Sequence, residues 1–277
     1  MERLKSQRRL IVNADDFGRS HSINEAVVRA HREGILTTAS LMVNGEGFQE
    51  AVALARENPK LGVGLHLTLL CGTSTLSHKQ IPGLVDLHGN FSNDPVRTGM
   101  RYFFARSLRA QLETEIKAQL DRFHSTGLTL DHVNSHLHLH LHPVVFKILM
   151  GLTEQCRIQR MRLTRDDLRL NVRLASGNWT YRLSHALIFG LLGGRARAAL
   201  LQRKIAHTNV VFGLLQNARV DERFVSGLLK RLPLGDSELY SHPSLDHFRN
   251  EFDALISPGN KNLIRQLGIK LIRYQDL

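Results

Sequence analysis

The chain alternates short apolar runs with stretches of helical periodicity. The first run, LIVNADDF at 10–17, is apolar until it ends in two carboxylates, and residues 24–33 then show helical spacing that Gly34 closes. TASLMV at 38–43 is followed by a helical stretch over 48–57, and LGVGLHLTL at 61–69 is a third apolar run. Apolar strands separated by helices are typical of a parallel sheet covered on both faces. The pattern predicts an α/β fold, closed or nearly closed into a barrel.

The middle of the chain is less regular. Residues 71–101 are rich in Gly, Pro, Ser and Asn, which predicts an insertion or a long functional loop. Helical spacing resumes over 107–125. A chain of 277 residues with 42% hydrophobic content can bury one large core, so we expect a single domain over 1–277. Further strand candidates are RMRL at 160–163, NVVFG at 209–213, ELYSH at 238–242 and IKLIRY at 269–274.

Histidines are concentrated in DHVNSHLHLHLHP at 131–143, which holds five of the 15 in the chain. A strand would place all five on one face and mostly apolar residues on the other, whereas a helix would scatter them. The spacing therefore predicts a strand, with Pro143 in the first turn of a following helix. A strand rises about 3.3 Å per residue, so one metal ion cannot bind every member of the run. The five are His132, His136, His138, His140 and His142.

Polar residues also stand at the ends of the predicted strands, where barrel folds gather their chemistry. Asp15 and Asp16 end the first strand, and His66 lies near the end of the third. Adjacent carboxylates point in different directions, so one can bind a divalent ion while the other handles a proton. From the residues alone two other interpretations stay open: the Asp pair as a helix cap or turn, and His66 as a ring bonded to a backbone carbonyl.

The charge balance bears on partners more than on chemistry. The chain has 37 Lys and Arg against 25 Asp and Glu, and the net charge of +12 favours contact with polyanions such as nucleic acid or an anionic membrane surface. Because no zinc-finger, RNP-type or basic-zipper motif accompanies the charge, we expect no nucleic-acid partner. Residues 179–204 mix apolar side chains with Arg and Lys. Two alternatives stay open for them: a surface for an anionic membrane, and a core-facing helix pair with a solvated basic face.

The N-terminal residues, the apolar stretches and the cysteines add little to this picture. The charged opening MERLKSQRRL resembles neither a signal peptide nor a targeting helix, and no apolar stretch reaches the roughly 18 residues of a spanning helix. We expect a cytoplasmic protein, with peripheral contact at the inner membrane face left open. Cys71 and Cys156 stand far apart without a CxxC spacing, which predicts free thiols.

Four segments, taken in order, resemble the signatures of one known family. They are NADDFG at 13–18, GLHL at 64–67, HVNSHLHLH at 132–140 and ELYSHP at 238–243. The chain looks like a YdjC-like carbohydrate deacetylase, a family also called ChbG/HpnK, from about Leu10 to its C-terminus. NEAVVRAHREGILTTASLMVNG near the start and ELYSHPSL and LIRYQDL near the end look most like the HpnK branch, which is associated with hopanoid biosynthesis.

The resemblance implies a distorted (β/α) TIM-like barrel with insertions that binds one divalent metal ion and removes acetyl groups from N-acetylated sugars. It implies Asp16, His66 and His136 as metal ligands, Asp15 as general base and His242 as general acid. Magnesium and zinc are the ions we expect first, and manganese or nickel also suits this ligand set. The ion would activate a water molecule, and His242 would protonate the departing amine.

We also expect three more residues to lie on the substrate side of the site: Arg162, His138 and His140. The family often has Asp where this chain has Asn134, and a histidine where it has Leu137. Neither departure removes a proposed ligand, but both bear on the hydrogen bonds around the ligands.

The resemblance to the HpnK branch implies an N-acetylglucosaminyl hopanoid lipid as substrate. The alternatives are soluble N-acetylglucosamine oligosaccharides, another metal-dependent barrel hydrolase such as a phosphoesterase, and a family member that only binds sugar or lipid. Few further carboxylates cluster in the sequence to hold a second ion, which argues against the phosphoesterase. A homodimer is left open.

Overall fold

Seven strands of one sheet organise the part of the chain that the structure, a computed structural model, describes, residues 7–216 and 219–277. Strand β1 is long and buried from Arg9 onward. Its sequence is apolar on both faces because both are covered, as expected of a parallel sheet under helices. The strands are β1 Arg8–Phe17, β2 Thr38–Leu41, β3 Gly62–Leu67, β4 Val133–Ser135, β5 Val210–Phe212, β6 Gly235–Ser241 and β7 Lys270–Leu271.

Helices alternate with these strands. Ten α-helices lie within the described ranges, and at least one lies in each connection between successive strands, which returns the chain so that the strands pair in parallel. They are α1 His21–Glu33, α2 Phe48–Glu57, α3 Pro95–Phe104, α4 Arg109–Ser125, α5 Pro143–Leu152, α6 Leu168–Leu174, α7 Trp179–Gln202, α8 Glu222–Lys230, α9 Arg249–Ile256 and α10 Pro258–Gln266.

The sheet runs in the order β4-β3-β2-β1-β6-β5, all parallel, with β7 paired to the beginning of β1. The segment 160–165 lies between the two outer strands. The Val133 amide donates to the Arg160 carbonyl at 3.0 Å, and the Val211 amide donates to the Arg165 carbonyl at 2.9 Å. These single bridges curl the sheet towards closure. The prediction of a distorted (β/α) TIM-like barrel is confirmed as a curled parallel barrel of strands inside helices, and the single-domain assignment stays a prediction.

Most predicted elements are present, with three differences of detail. The strand predicted over 269–274 covers only Lys270–Leu271. RMRL at 160–163 makes isolated bridges and no regular strand. The irregular region 71–101 ends in helix α3, which Asp94 caps by accepting from the Arg97 amide at 2.9 Å. The rest of this region is held by Glu115 of α4, whose carboxylate accepts from the Thr75 amide at 2.8 Å.

The prediction of one strand through the histidine run is wrong. Strand β4 covers only Val133–Ser135, and a 3₁₀-helix follows over His136–Leu141. Leu137 and His138 have φ of 48° and 56°, so two consecutive residues in the left-handed region break the alternation. The Ser135 hydroxyl accepts from the His140 amide at 2.6 Å and holds the turn closed. Pro143 does begin α5, as expected.

Residues 179–202 form one continuous helix, α7, and not a helix pair. Its buried positions are few, and its solvent side carries several large apolar side chains. Within residues 7–216 and 219–277, no helix combines the length and apolarity that crossing a membrane requires.

Candidate metal centre and active site

Asp16 lies at the carboxyl end of β1 in a backbone conformation that few non-glycine residues adopt. Its φ is 64°, and the register between β1 and β2 shifts between Ala14 and Phe17. Asp is among the residues that tolerate this region best, and such irregularities cluster at functional sites. The irregular strand end lets adjacent carboxylates bind different partners, Asp15 an arginine and Asp16 two histidines.

Three side chains meet at this end of the barrel. Asp16 Oδ1 lies 3.2 Å from His66 Nε2 and 3.0 Å from His136 Nδ1. One ligand atom from each of the three lies within 4.8 Å of the others, and all three residues are buried. No other group of three His, Cys, Asp or Glu with this spacing occurs in the described part of the chain. The structure therefore brings together the three residues predicted as metal ligands, each from the carboxyl end of a different strand.

The hydrogen bonds around His66 test whether a metal ion fits. Asn134 donates from Nδ2 to Ser40 Oγ at 2.8 Å and to Asp15 Oδ1 at 3.2 Å, which directs its Oδ1 at His66 Nδ1, 2.8 Å away. His66 Nδ1 must then donate, so the lone pair of the ring lies on Nε2. That atom is buried and has no hydrogen-bond partner. A buried acceptor aimed at a carboxylate and a second imidazole fits a cation ligand.

The charge of the cluster is also that of a cation site. Burial by itself would raise the pKa of Asp16, but the imidazoles of His136 and His66 beside it hold that pKa well below its ordinary value. One ionised carboxylate and two imidazoles form a ligand set that suits a divalent ion and leaves coordination positions open.

Asp15 belongs to a buried ion-pair network beside the cluster. Arg162 NH1 donates to Asp15 Oδ2 at 2.7 Å and NH2 donates to Oδ1 at 2.9 Å, a two-bond pair. Burial would raise the pKa of Asp15, but the Arg162 guanidinium, followed by His66, lowers it well below the usual range. Asp15 is therefore ionised and fixed in orientation.

Arg162 is fully buried, 0% exposed. Besides Asp15 it binds Glu238 Oε1 through Nε at 2.9 Å, and its guanidinium lies 4.5 Å from the centre of the Tyr240 ring. Two edges of the guanidinium and one of its faces are thus occupied by groups of the protein. Its predicted substrate-side role stays a prediction, and the contacts favour a role in positioning Asp15.

His138 and His140 are held by the protein in a similar way. His138 pairs through Nε2 with the Tyr240 hydroxyl at 2.9 Å, and His140 pairs with Ser135 Oγ at 2.9 Å and with the Arg162 carbonyl at 3.0 Å. Burial, and then the Arg162 charge, lower the pKa of His138 well below its ordinary value and that of His140 to about 3. Both rings are neutral supports of the turn that carries His136, and their contact with substrate stays a prediction.

His242 follows β6 directly and is the accessible histidine of the site, with its side chain 20% exposed. Its backbone amide donates to Glu251 Oε2 at 2.6 Å, and Nδ1 lies 3.8 Å from the same oxygen. Glu251 is fully buried on α9. Glu251 therefore fixes the backbone at His242 and lies behind its partly exposed ring.

A groove of about 630 Å³ opens beside these residues. The loops that follow β1, β2, β3 and β6 border it, and its lining includes Thr68, Asn44, Asp246 and Phe248. Arg19 reaches into it and pairs with Asp16 Oδ2 at 2.8 Å. The lining combines polar side chains with apolar ones and the Phe248 ring, a mixture that suits the polar edges and apolar faces of a sugar.

Sequence reasoning missed several partners of the site. Glu238 stood inside the ELYSHP segment, where a carboxylate in a buried strand was a usable signal. The sequence distinguishes Asn134 only as a departure from the family pattern and does not indicate its bond to His66. No sequence signal marked Arg19 or Glu251, because each reaches the site only through the fold.

Fold and site together define an α/β barrel with a candidate mononuclear metal centre at the carboxyl ends of its strands. The model of the YdjC-like protein family matches residues 9–266. The chain therefore belongs to the YdjC-like family.

Relatives and solved structures agree with this placement. The chain is 46% identical to a carbohydrate deacetylase of Brevibacillus brevis over 150 residues, 54% of this chain and 57% of the relative. It is 28% identical to a chitooligosaccharide deacetylase of Serratia marcescens over 281 residues, 98% of this chain and 100% of the relative. The first of these alignments spans little more than half of the relative's length. A crystal structure from Enterococcus faecalis V583, named for cellobiose-phosphate cleavage, superposes with a TM-score of 0.74 at 22% identity, over 98% of this chain and 99% of that one. This likeness shows the shared fold.

Proposed function

We propose that this protein is a metal-dependent hydrolase that removes the acetyl group from an N-acetylated sugar. The observation that carries the proposal is the buried Asp16, His66 and His136 cluster with an ionised Asp15 on one side. An accessible His242 supplies the proton donor that an amide leaving group needs. The names of the Brevibacillus and Serratia relatives support a sugar amide as substrate.

Asp16, His66 and His136 would hold the ion. When bound, a divalent ion supplies Lewis-acid chemistry and favours ionisation of water near neutral pH. The proton transfers are carried out by side chains of the protein. Asp15, held by Arg162, accepts the proton of the attacking water, and the imidazole of His242 gives a proton to the sugar nitrogen as the C–N bond breaks. Glu251 accepts from the His242 backbone amide and so positions the residue that carries this ring.

Two substitutions separate metal binding from proton transfer. We expect His136→Ala to lose both bound metal and acetate release, because it removes one of three ligands. We expect His242→Ala to keep its metal and lose at least about a hundredfold in acetate release, the usual scale of a general acid. Metal content by mass spectrometry and acetate release from N-acetylated chitooligosaccharides measure the two effects.

The exposed His88, on a loop away from the cluster, provides the control His88→Ala. It should leave both readouts unchanged. Near wild-type acetate release by His242→Ala, or a full complement of metal in Asp16→Ala, would contradict the assigned roles.

The finer features of the function are part of the same proposal. We infer magnesium or zinc as the ion, and a sugar carried on a lipid, in the first place an N-acetylglucosaminyl hopanoid, with contact to the membrane at its surface. Soluble oligosaccharides are the alternative substrate, and acetate release from lipid-linked and free N-acetylglucosamine conjugates compares the two. A homodimer is tested by sedimentation equilibrium. A phosphoesterase is disfavoured because the residues described hold one ligand cluster and not two.

A further inference from the structure

Large apolar side chains are exposed mainly on two helices. Fourteen such residues are exposed in the described ranges, and ten of them lie on α3 and α7. On α7, Trp179, Leu183, Leu187 and Leu191 recur every four residues, with exposed fractions between 47% and 65%. On α3, Val96, Met100 and Phe104 have the same spacing and exposed fractions between 57% and 74%. Each helix therefore presents a continuous apolar stripe to solvent, where a soluble helix normally carries polar residues.

The two helices that carry these stripes both contact the histidine turn beside the candidate active site. The Phe103 ring of α3 lies 6.2 Å from the His142 ring at one end of that turn. The Phe189 ring of α7 lies 5.4 Å from the His138 ring within it. Leu137, on the same turn and next to the candidate ligand His136, is 46% exposed. The two helices and this leucine thus form one apolar margin of the site, which we call the α3–α7 surface.

The charged residues around the α3–α7 surface are mainly basic, with Asp94 at the start of α3 and Glu113 near Phe103 and Phe104 as acidic neighbours. Residues 95–112 contain four Arg or Lys, residues 168–220 contain eight, and neither stretch contains an Asp or Glu. Their twelve positive charges equal the net charge of the whole chain. Exposed Arg97 and Arg101 lie on α3, and exposed Arg195 and Arg197 lie on α7 beyond its apolar stripe.

This combination favours one kind of partner. An apolar stripe flanked mainly by arginines matches the boundary between acyl chains and anionic headgroups. A second copy of the chain would bring the same positive charge and be repelled. A nucleic acid would use the arginines but leave the leucine stripes exposed, since most of its contacts are to phosphate and sugar.

We propose that the α3–α7 surface docks this protein on an anionic lipid bilayer and so places the mouth of the candidate active site at the headgroup level. The inference rests on the proposed function only for the identity of the sugar that would be reached there. The docking itself depends on the surface alone.

Vesicle sedimentation tests the docking with the full-length protein. Wild-type protein should sediment with phosphatidylcholine vesicles that contain phosphatidylglycerol and not with phosphatidylcholine alone, and added salt should weaken binding because it screens the arginines. Arg195→Gln with Arg197→Gln should lower the partition constant about tenfold or more. Leu183→Gln, Leu187→Gln and Leu191→Gln together should abolish sedimentation, and glutamine keeps the helix propensity.

The matched control replaces equally exposed leucines outside the surface, Leu87→Gln with Leu234→Gln, which are 81% and 60% exposed. This variant should sediment as the wild type does. All variants should retain acetate release from a soluble chitooligosaccharide, which shows an intact fold and site.

Three results would overturn the docking proposal: unchanged sedimentation of the triple leucine variant, equal binding to neutral vesicles, or a vesicle-free dimer that the leucine substitutions disperse. A fourth, tight binding of duplex DNA that the leucine substitutions do not affect alongside weak vesicle binding, would assign the charge to nucleic acid. Lack of acetate release by the wild type would contradict the proposed function and leave the vesicle result standing.

Discussion

Asn134 decides which nitrogen of His66 can bind a cation. Its amide group is oriented by two acceptors, Ser40 and Asp15, so its oxygen takes the Nδ1 proton of His66. The family often has Asp at this position, and an aspartate oxygen would serve His66 equally well. What the asparagine adds is a donor towards Asp15, which already receives two bonds from Arg162.

We expect Asn134→Leu to weaken metal binding about 10–100-fold, the usual effect of removing the partner of a ligating histidine. The reason is that His66 would be free to turn or to change tautomer. Titration of metal-stripped protein with the ion, followed by calorimetry, measures the change. Asn134→Asp is the matched variant because it restores an oxygen opposite Nδ1, and its affinity should lie closer to the wild type. Equal loss in both variants would contradict the tautomer argument.

Asp16 and His66 could be placed from sequence because each stands near the end of an apolar run that forms a strand, whereas the choice of His136 among five histidines came from the family resemblance. Asp16 and His66 belong to β1 and β3, whose bounds the apolar pattern gave closely. The partners of Asp15 could not be predicted in the same way. Arg162 lies in a segment that only bridges its neighbours, and Glu251 lies on a helix with ordinary spacing, so both reach the site through tertiary contacts.

The turn over His136–Leu141 is an element that the residue pattern predicts wrongly, as a strand. Strict alternation of His and Leu satisfies a strand, and a residue pattern carries no signal for two successive left-handed residues without Gly or Asn. The turn forms because its buried histidine rings find hydrogen-bond partners: Ser135 pairs with His140, and Tyr240 pairs with His138. The side-chain network thus overrides the local preference of the backbone.

The left-handed Leu137 gives a test of this strain. We expect Leu137→Gly to change the free energy of unfolding by less than about 1 kcal/mol, because glycine removes the backbone strain and the lost side chain is half exposed. Leu137→Val should cost about 1–2 kcal/mol more than the glycine variant, since a β-branched residue tolerates positive φ poorly. Urea denaturation of metal-stripped protein measures both. A valine variant as stable as the glycine variant would show that this turn is not strained at Leu137.

Over the whole molecule, the excess positive charge and the buried neutral histidines occupy different regions. The excess positive charge lies in segments that flank the site, while the histidines beneath it are neutral because burial and Arg162 oppose their protonation. The sequence indicated the overall charge. Its position at the margin of the site depended on where α3 and α7 pack, which composition does not contain.

The buried neutral histidines make the fold sensitive to acid in a defined range. The pKa of His140 is lowered to about 3 in the folded protein, from an ordinary value of 6.5. Between these values the unfolded chain binds a proton that the folded protein does not, so stability is full above about pH 6.5 and falls as the pH decreases. The lowered pKa values of Asp15 and Asp16 act only below about pH 4, where those carboxylates would be protonated in the unfolded chain. The range from pH 6.5 to 4 therefore reports on buried histidines together with Asp166, whose pKa burial raises to about 6.

We expect His140→Gln to be less stable than the wild type at pH 7, because it loses the bonds to Ser135 and to the Arg162 carbonyl. Its stability should then fall less steeply on acidification, by about 1.4 kcal/mol per pH unit below pH 6, the contribution of one proton. Urea unfolding of metal-stripped protein at several pH values between 7 and 4.5 measures the slope, and the exposed His88→Gln should leave it unchanged. A slope in His140→Gln as steep as that of the wild type would mean that His140 is not the neutral, buried ring on which the turn is built.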